Sequence, residues 1–334
     1  MIPIQRKSEA ISAAEAVRTR QLNQVHGLPV LMEPTVSGVD LESWLGANRE
    51  TVEHVLFRHG GVLLRGFEVL SIAAFERMIE GAFGGLLEYT NRSTPRTQVS
   101  GKVYTSTEFP ANRTIPQHNE MSYTAEWPLK IAFLCVQTAA CGGETPIADS
   151  RRVFERIAPE IRARFERLGV MYVRNYGFGI DLPWNEAFGT TNKSELEQIL
   201  DRSGIQYEWI SPKRLRTRQV CQGTARHPHT NEMVWFNQAH LFHVSNLERE
   251  LREQLLAAFR EEDLPRNAYY GDGSPIESEV LDHIREAYQS ETVDFPWNNG
   301  DLLLLDNMLA SHGRNPFEGS RKVVVTMTQS YRVQ

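Results

Sequence analysis

The sequence predicts a mainly β protein with flanking helices, folded as a double-stranded β-helix, that is, a jelly-roll barrel. Two observations favour this fold. Short apolar strand patterns alternate with amphipathic helical patterns, and no internal repeat or low-complexity linker separates them. The chain has 334 residues, 41% of them hydrophobic, which is enough for a core around a buried site. We therefore expect a single domain over residues 1–334, with a helical N-terminal part (1–58) and a loop and helix insert at about 150–295.

The first third of the chain predicts three helices and one buried strand. Helical patterns cover residues 8–22, 41–58 and 72–83; in the second of these, Leu41, Trp44 and Leu45 begin the apolar face. Residues 60–67 form a short apolar run bounded by glycine, which is typical of a buried strand. From about residue 99 to 148, short strands and turns alternate.

The rest of the chain mixes long helices with isolated strands. Residues 151–168, 246–259 and 277–288 have helical periodicity, and residues 170–174, 234–236, 301–306 and 322–329 are strand candidates. Residues 86–112 and 175–245 are rich in Gly, Pro, Asn and aromatic residues, so we expect loops there. Long loops on a rigid barrel usually carry the substrate site.

Composition excludes several classes of function. The formal net charge of −6 and the lack of a basic block argue against nucleic acid as a partner. The N-terminus has no apolar core of a signal peptide, and no apolar stretch is long enough to span a membrane. Cys135, Cys141 and Cys221 lack C-x-x-C spacing, which disfavours a disulfide framework or zinc cluster. We expect a cytoplasmic protein with a small-molecule substrate; a homo-oligomer is compatible with the sequence.

Two histidines and a carboxylate carry the most specific chemical signal. His118 and Glu120 are spaced i,i+2, and His312 follows about 190 residues later. In an extended strand, residues i and i+2 face the same side about 7 Å apart, so both side chains can reach one metal ion. Two histidines and one carboxylate form the facial triad of non-haem Fe(II) oxygenases, which leaves open positions on the metal.

The sequence around these residues is similar to that of a known family. Residues 117–123 are followed by Trp127-Pro128, an apolar run and then residues 142–146; residues 300–307 lead into His312, and Arg321 lies nine residues after it. This order resembles the TauD/TfdA-like superfamily of Fe(II)/2-oxoglutarate oxygenases over roughly residues 60–331. The nearest branch is that of the clavaminate synthase-like and syringomycin-pathway hydroxylase-like proteins, which use His-x-Glu.

The resemblance implies iron(II) as cofactor, 2-oxoglutarate and O2 as cosubstrates, and a clamp for the distal carboxylate of 2-oxoglutarate. The matching clamp residues are Thr145 and Arg321. A guanidinium suits this role because it binds a carboxylate with two parallel hydrogen bonds and stays charged when partly buried. Thr145 is alternatively a turn residue, and Arg321 a surface cation.

Five further residues are candidates for substrate contact. Arg96, Glu108 and Arg314 lie in motif-like stretches, and an acidic and a basic group together would suit an amino-acid-like substrate. Asn119 and Tyr123 flank the triad. Any of the five is alternatively a packing residue or an isolated surface charge. Four other histidines lack carboxylate or cysteine partners at zinc spacing and are interpreted as loop or substrate contacts: His227, His229, His240 and His243.

The hypothesis that follows is an Fe(II)/2-oxoglutarate-dependent oxygenase of secondary metabolism, such as antibiotic biosynthesis. It would hydroxylate an unactivated C–H bond of an amino acid or of an aminoacyl group tethered to a carrier protein. Desaturation, epoxidation or cyclisation by the same oxidative chemistry remain alternatives. Halogenation is disfavoured because Glu120 occupies the position that halogenases leave open for chloride. A zinc hydrolase using the same three ligands and a non-catalytic cupin-like binding protein are the rival classes.

Overall fold

The computed structural model describes residues 16–68, 71–89, 97–106, 109–177 and 182–332. The strands are β1 (Val17–Gln21), β2 (Val30–Pro34), β3 (Gly61–Leu64), β4 (Gln98–Ser100), β5 (Val103–Thr105), β6 (Ile115–His118), β7 (Glu126–Gln137), β8 (Cys141–Gly142), β9 (Ile147–Asp149), β10 (Val170–Tyr176), β11 (Gln206–Ser211), β12 (Arg214–Cys221), β13 (Thr224–Arg226), β14 (Met233–Trp235), β15 (Arg266–Tyr270), β16 (Leu302–Asp306), β17 (Ala310–Arg314), β18 (Phe317–Glu318) and β19 (Lys322–Arg332). The helices are α1 (Leu41–Ala47), α2 (Arg49–His59), α3 (Ile72–Phe83), α4 (Ser150–Arg156), α5 (Pro159–Leu168), α6 (Trp184–Phe188), α7 (Lys193–Arg202), α8 (Ala239–Phe242), α9 (Arg249–Ala258) and α10 (Ser278–Glu291), with 3-10 turns at Val244–Asn246 and Glu261–Asp263.

Two sheets form the centre of the fold. The larger has eight strands in the order β1-β2-β3-β16-β7-β19-β5-β4, and the smaller has three in the order β6-β17-β9. A separate four-stranded sheet, β11-β12-β10-β15, lies within the predicted insert. The prediction of a mainly β protein with flanking helices is confirmed. Within the described ranges, the strand pairings do not close into a barrel.

The central strands of the larger sheet separate two apolar layers. In β16, Leu302 and Leu304 pack with the helices α1–α3, whereas Leu303 and Leu305 face the opposite layer. That layer also contains Ile147 of β9, which belongs to the smaller sheet. The two-residue alternation of a strand explains this division, because successive side chains point to opposite faces. The space between the two sheets is therefore the interior in which a buried site can form.

Several predicted elements are confirmed, and their ends have local causes. Helix α3 has the predicted bounds: the Ser71 hydroxyl accepts a hydrogen bond from the Ala74 N–H at 3.1 Å, and Gly84 ends the helix. Strands β3, β16 and β19 lie where apolar runs predicted them. The helix predicted over 41–58 is present as two helices that meet at Asn48.

Two predictions of secondary structure were wrong, and a second predicted helix is divided in two. Residues Val17–Gln21 form a strand paired with β2, not the end of a helix, while residues 8–15 lie outside the described ranges. The helix predicted over 151–168 divides before Pro159, because proline restricts the preceding residue to extended backbone. The loop predicted over 175–245 contains helices and the β11–β12 hairpin.

None of the helices in the described part of the chain is long and apolar enough to cross a lipid bilayer.

Candidate metal centre and its two flanking cavities

Strand pairing in the smaller sheet brings the two distant histidines together. His118 of β6 and His312 of β17 are direct partners in an antiparallel pair. Side chains at such paired positions project to the same face, and the two imidazole centroids lie 4.4 Å apart. The separation of about 190 residues along the sequence therefore disappears in the fold.

The third residue of the group reaches the same point from a turn. Strand β6 ends at His118, and Glu120 lies beyond it, just before Met121 with its positive φ of 59°. The expected placement of His118 and Glu120 on one continuous strand was therefore wrong, although both side chains converge. The Glu120 carboxylate lies 3.9 Å from Nε2 of His312.

These three side chains fit a metal ion. One ligand atom from each of His118, Glu120 and His312 can be chosen so that all lie within 4.8 Å of one another. Glu120 and His312 are buried and His118 is partly buried. Nδ1 of His118 lies 2.9 Å from the Pro116 carbonyl oxygen, an acceptor, so this nitrogen carries the proton and Nε2 is left to bind metal. Two neutral imidazoles and one carboxylate are a donor set suited to iron(II).

A narrow cleft on one side of the histidines contains the predicted clamp. We call it the arginine cleft; it is lined by His118, His312, Ser106, Thr145, Arg314 and Arg321, among others. The Thr145 hydroxyl accepts a hydrogen bond from the Trp297 indole N–H at 3.1 Å, which leaves its own O–H to donate into the cleft. The structure thus brings both predicted clamp residues to the metal group.

The charge of Arg321 is poorly compensated by the protein. Its guanidinium donates to the Gly143 carbonyl at 2.8 Å and to the Ser106 hydroxyl at 3.2 Å, both neutral acceptors. No carboxylate of the described residues lies within ion-pair distance of it. Burial, with the nearby Arg314 cation, lowers the pKa of Arg321 to about 10. A partly buried cation with neutral partners is a favourable site for an anion.

Arg314, predicted as a substrate contact, holds a neighbouring loop. Its guanidinium donates to three backbone carbonyl oxygens, those of Phe109 at 3.0 Å, Pro110 at 2.7 Å and Arg113 at 2.8 Å. Burial lowers the pKa of Arg314. The structure places this side chain at the arginine cleft and uses most of its donors on the backbone of the 109–113 turn.

A larger cavity also borders His118. This aromatic cavity has a volume of about 150 Å³ and is lined mainly by rings and apolar groups, with both His118 and Glu120 in its wall. Its aromatic lining residues are Tyr89, Phe109, Tyr123 and Phe242. His118 and Ile115 line both spaces, so the metal group lies at the boundary between them.

One cation lines the aromatic cavity and was missed in the sequence. Besides His118, the described residues that line this cavity include one basic side chain, that of Arg266. Its guanidinium carbon lies 5.5 Å from the centre of the Phe242 ring, which also lines the cavity. No motif marks Arg266; strand β15 brings it to the site from the insert, about 150 residues after the triad glutamate.

The other predicted substrate residues divide into three groups. Tyr123 lies in the wall of the aromatic cavity and packs against Phe242, with ring centroids 5.1 Å apart. Asn119 is fully buried behind the triad, and its amide donates to the Ser150 hydroxyl at 3.0 Å. Arg96 and Glu108 lie outside the described residues.

The remaining histidines do not gather around a second metal. Among the described residues, the triad is the one set of three or more His, Cys, Asp or Glu side chains that lie close enough together to share a metal ion. His227 instead lies 3.1 Å from the Asp306 carboxylate, and His240 lies 3.0 Å from the Gln117 carbonyl oxygen. Burial lowers the pKa of His240 to about 3, so its ring is neutral and donates through Nε2. His229 stacks on Phe57 at 5.0 Å.

The chain is similar to known proteins in both sequence and fold. The family described as "Taurine catabolism dioxygenase TauD, TfdA family" matches residues 24–328. The dapdiamide synthesis protein DdaC of Enterobacter agglomerans is 43% identical over 303 residues, which cover 91% of this chain and 92% of that protein. A clavaminate synthase-like protein of Arabidopsis thaliana is 33% identical over 292 residues, 83% of each chain. The solved structure of PvcB, an Fe, alpha-ketoglutarate dependent oxygenase from an isonitrile synthetic pathway, has a TM-score of 0.55 at 14% identity and covers 95% of this chain and 94% of its own.

Proposed function

Since the chain belongs to the TauD, TfdA family, we propose that it hydroxylates an unactivated C–H bond of an amino acid or aminoacyl substrate in secondary metabolism. It is a 2-oxoglutarate-dependent dioxygenase that uses iron(II), 2-oxoglutarate and O2. The observation that carries the proposal is the position of the histidine and glutamate group between a cationic cleft and an aromatic cavity. Two different ligands can therefore reach one metal, each from its own space.

We assign the metal to His118, Glu120 and His312. When bound, iron supplies the activation of O2 against a C–H bond, chemistry that no side chain offers. The protein's part is to orient and enclose the ion. The hydrogen bond from His118 Nδ1 to the Pro116 carbonyl fixes the tautomer, and the Phe133 ring packs edge-on against His312 at 5.1 Å and shields it.

The cosubstrate occupies the arginine cleft in this proposal. 2-Oxoglutarate carries two carboxylates, and its distal one would meet the guanidinium of Arg321 and the hydroxyl of Thr145. The Gly143 carbonyl and the Ser106 hydroxyl hold the guanidinium in place before the ligand arrives. Pre-organisation of this kind reduces the entropy that binding must overcome.

The aromatic cavity would hold the substrate. Its rings suit an apolar carbon chain that excludes water from the reacting bond. Arg266 offers a cation at the same cavity, which suits a carboxylate or another anionic end of the substrate. The name of the relative DdaC refers to dapdiamide synthesis, and this supports an amino-acid-derived substrate. Either a free amino acid or an aminoacyl group on a carrier protein fits the proposal.

We also propose that residues 1–334 act as one domain. Strands from both ends of the described chain, β2 and β19, belong to the same eight-stranded sheet. The apolar layer facing the site contains Leu31 and Met327 together. A cut between the two halves would expose this layer.

The test is turnover with a defined panel. The purified protein is incubated with iron(II), 2-oxoglutarate and O2 and with single amino acids, their N-acyl derivatives or aminoacyl thioesters, and succinate and product masses are measured. The proposal expects succinate to rise above the substrate-free rate, with a product 16 mass units heavier, as one added oxygen requires. A product two mass units lighter would indicate desaturation or cyclisation, and no stimulation by any compound of these three classes would overturn the proposed substrate class.

A further inference from the structure

The side chain of Asn307 is hydrogen-bonded to the backbone of Glu120. Asn307 follows strand β16 and is fully buried. Its side-chain oxygen accepts from the Glu120 N–H at 2.7 Å, and its amide nitrogen donates to the Glu120 carbonyl at 2.9 Å. The amide thus bonds both polar backbone groups of one residue, as a neighbouring strand would.

The same side chain also ties this residue to strand β7. The second hydrogen of its amide nitrogen goes to the Pro128 carbonyl at 2.8 Å, so both amide hydrogens are donated and the amide oxygen accepts one bond. The backbone of Asn307 donates to the Leu129 carbonyl at 2.8 Å and accepts from the Asn119 amide at 2.7 Å. The turn that carries Glu120 is therefore fixed to the large sheet through one residue.

A buried histidine fixes the residue before it. His227 Nε2 lies 3.1 Å from one Asp306 carboxylate oxygen, and its Nδ1 accepts from the Thr230 N–H at 3.0 Å. The other carboxylate oxygen of Asp306 accepts from the N–H groups of Met308 at 3.0 Å and Leu309 at 3.1 Å. Both imidazole nitrogens are used, so the ring has one tautomer and the turn after β16 has one conformation.

We propose that Asn307 is the positioning residue for the metal-binding carboxylate, and that the His227–Asp306 pair holds Asn307 in register. Glu120 lies beyond the end of strand β6, so the β6–β17 pairing that aligns the two histidines does not extend to it. The side-chain amide supplies the missing alignment. The inference rests on the proposed triad, but not on the proposed substrate.

The test measures metal affinity, not turnover. Mn(II) binding to the metal-free protein, without O2 or cosubstrate, is titrated for wild type, Asn307→Ala and Glu120→Ala by the loss of the free-Mn(II) electron paramagnetic resonance signal. Residues that orient ligands typically contribute about 10–100-fold to metal affinity, so Asn307→Ala should lose affinity in that range. Wild-type affinity in Asn307→Ala would overturn the inference. Equal affinity in wild type and Glu120→Ala would overturn the triad, and this inference with it.

A matched control separates positioning from general stability. Asn175 on β10 is equally buried, donates to the Glu262 carbonyl at 2.9 Å and the Leu264 carbonyl at 2.7 Å, and accepts from Arg216 at 2.9 Å. Asn175→Ala should lower the melting temperature about as much as Asn307→Ala and leave Mn(II) affinity unchanged. If both variants lose affinity equally, the effect is general destabilisation and the inference fails.

A milder pair of variants covers the case in which Asn307→Ala does not fold. His227→Gln retains an amide N–H where Nε2 donates to Asp306, whereas His227→Ala retains none. Mn(II) affinity should fall several-fold in His227→Ala and recover most of this loss in His227→Gln. Wild-type affinity in the folded His227→Ala variant would contradict the role given to the pair.

Discussion

Replacing Arg321 by methionine should have opposite effects on cosubstrate affinity and on stability. Methionine keeps much of the length of the side chain and removes its charge. Hydrogen bonds to charged groups contribute about 1.5–3 kcal/mol each, so loss of two such bonds to a carboxylate costs about 3–6 kcal/mol. At 1.4 kcal/mol per factor of ten, the affinity for 2-oxoglutarate should fall by about 10²–10⁴.

The stability of the ligand-free protein should not fall with it. Burial lowers the pKa of Arg321 from its ordinary 12.5 to about 10, and at about 1.4 kcal/mol per pKa unit the buried charge costs on the order of 3 kcal/mol. Loss of the bonds to Gly143 and Ser106 offsets this by about 1 kcal/mol each. The free energy of unfolding should therefore stay level or rise by about 1 kcal/mol.

Arg65 provides the contrasting control. It is also largely buried, but its guanidinium pairs with the buried Asp301 carboxylate at 2.6 Å. Arg65→Met would leave that carboxylate unpaired and should destabilise the protein by about 3–5 kcal/mol. Urea unfolding of both variants, and calorimetric titration of 2-oxoglutarate in the presence of Mn(II), measure the two effects. Equal destabilisation by the two substitutions, or wild-type cosubstrate affinity in Arg321→Met, would contradict the role given to Arg321.

Three further predictions concern the triad, a buried histidine and the cysteines. Glu120→Ala removes a metal ligand, so succinate formation should be lost. Succinate formation at the wild-type rate in this variant would exclude Glu120 as a ligand. Burial lowers the pKa of His240 from its ordinary 6.5 to about 3. Between these values the His240 ring binds a proton in the unfolded chain but not in the folded chain. Its contribution to the free energy of unfolding should therefore be complete above pH 6.5 and decline as the pH falls toward 3. His240→Gln should flatten that part of the unfolding free-energy curve in urea titrations, and an unchanged slope would contradict the assignment. Exposed Cys141 should react with iodoacetamide at mildly alkaline pH, whereas the buried thiols should not, because burial raises the pKa of Cys135 to about 11 and that of Cys221 to about 12. Peptide mass spectrometry measures the labelling of each cysteine. Early labelling of either buried thiol would be inconsistent with the fold.

Residues with strong local signals could be predicted from the sequence. Helix Ile72–Phe83 has a serine cap and a glycine end, β16 is an apolar run of four leucines, and β19 begins with three buried valines after Lys322. Strands β11 and β12 were missed because they are rich in charged and polar residues and only partly buried. Such strands resemble loops in composition.

In the candidate site, too, some residues have a local sequence signal and others do not. Histidine and glutamate spacing indicated the metal group, but the backbone of Glu120 is held by an asparagine 187 residues away, and no local pattern marks that contact. Arg266 likewise reaches the aromatic cavity from a strand in the insert. Both depend on tertiary placement, which a single sequence does not encode in any short motif.

The anaerobic visible spectrum of the protein with iron(II) and 2-oxoglutarate tests the metal and cosubstrate assignment together. We predict a charge-transfer band that needs both additions, disappears in Glu120→Ala and requires far more 2-oxoglutarate in Arg321→Met. A wild-type spectrum without this band at saturating iron(II) and 2-oxoglutarate would contradict the assignment of the triad and the arginine cleft.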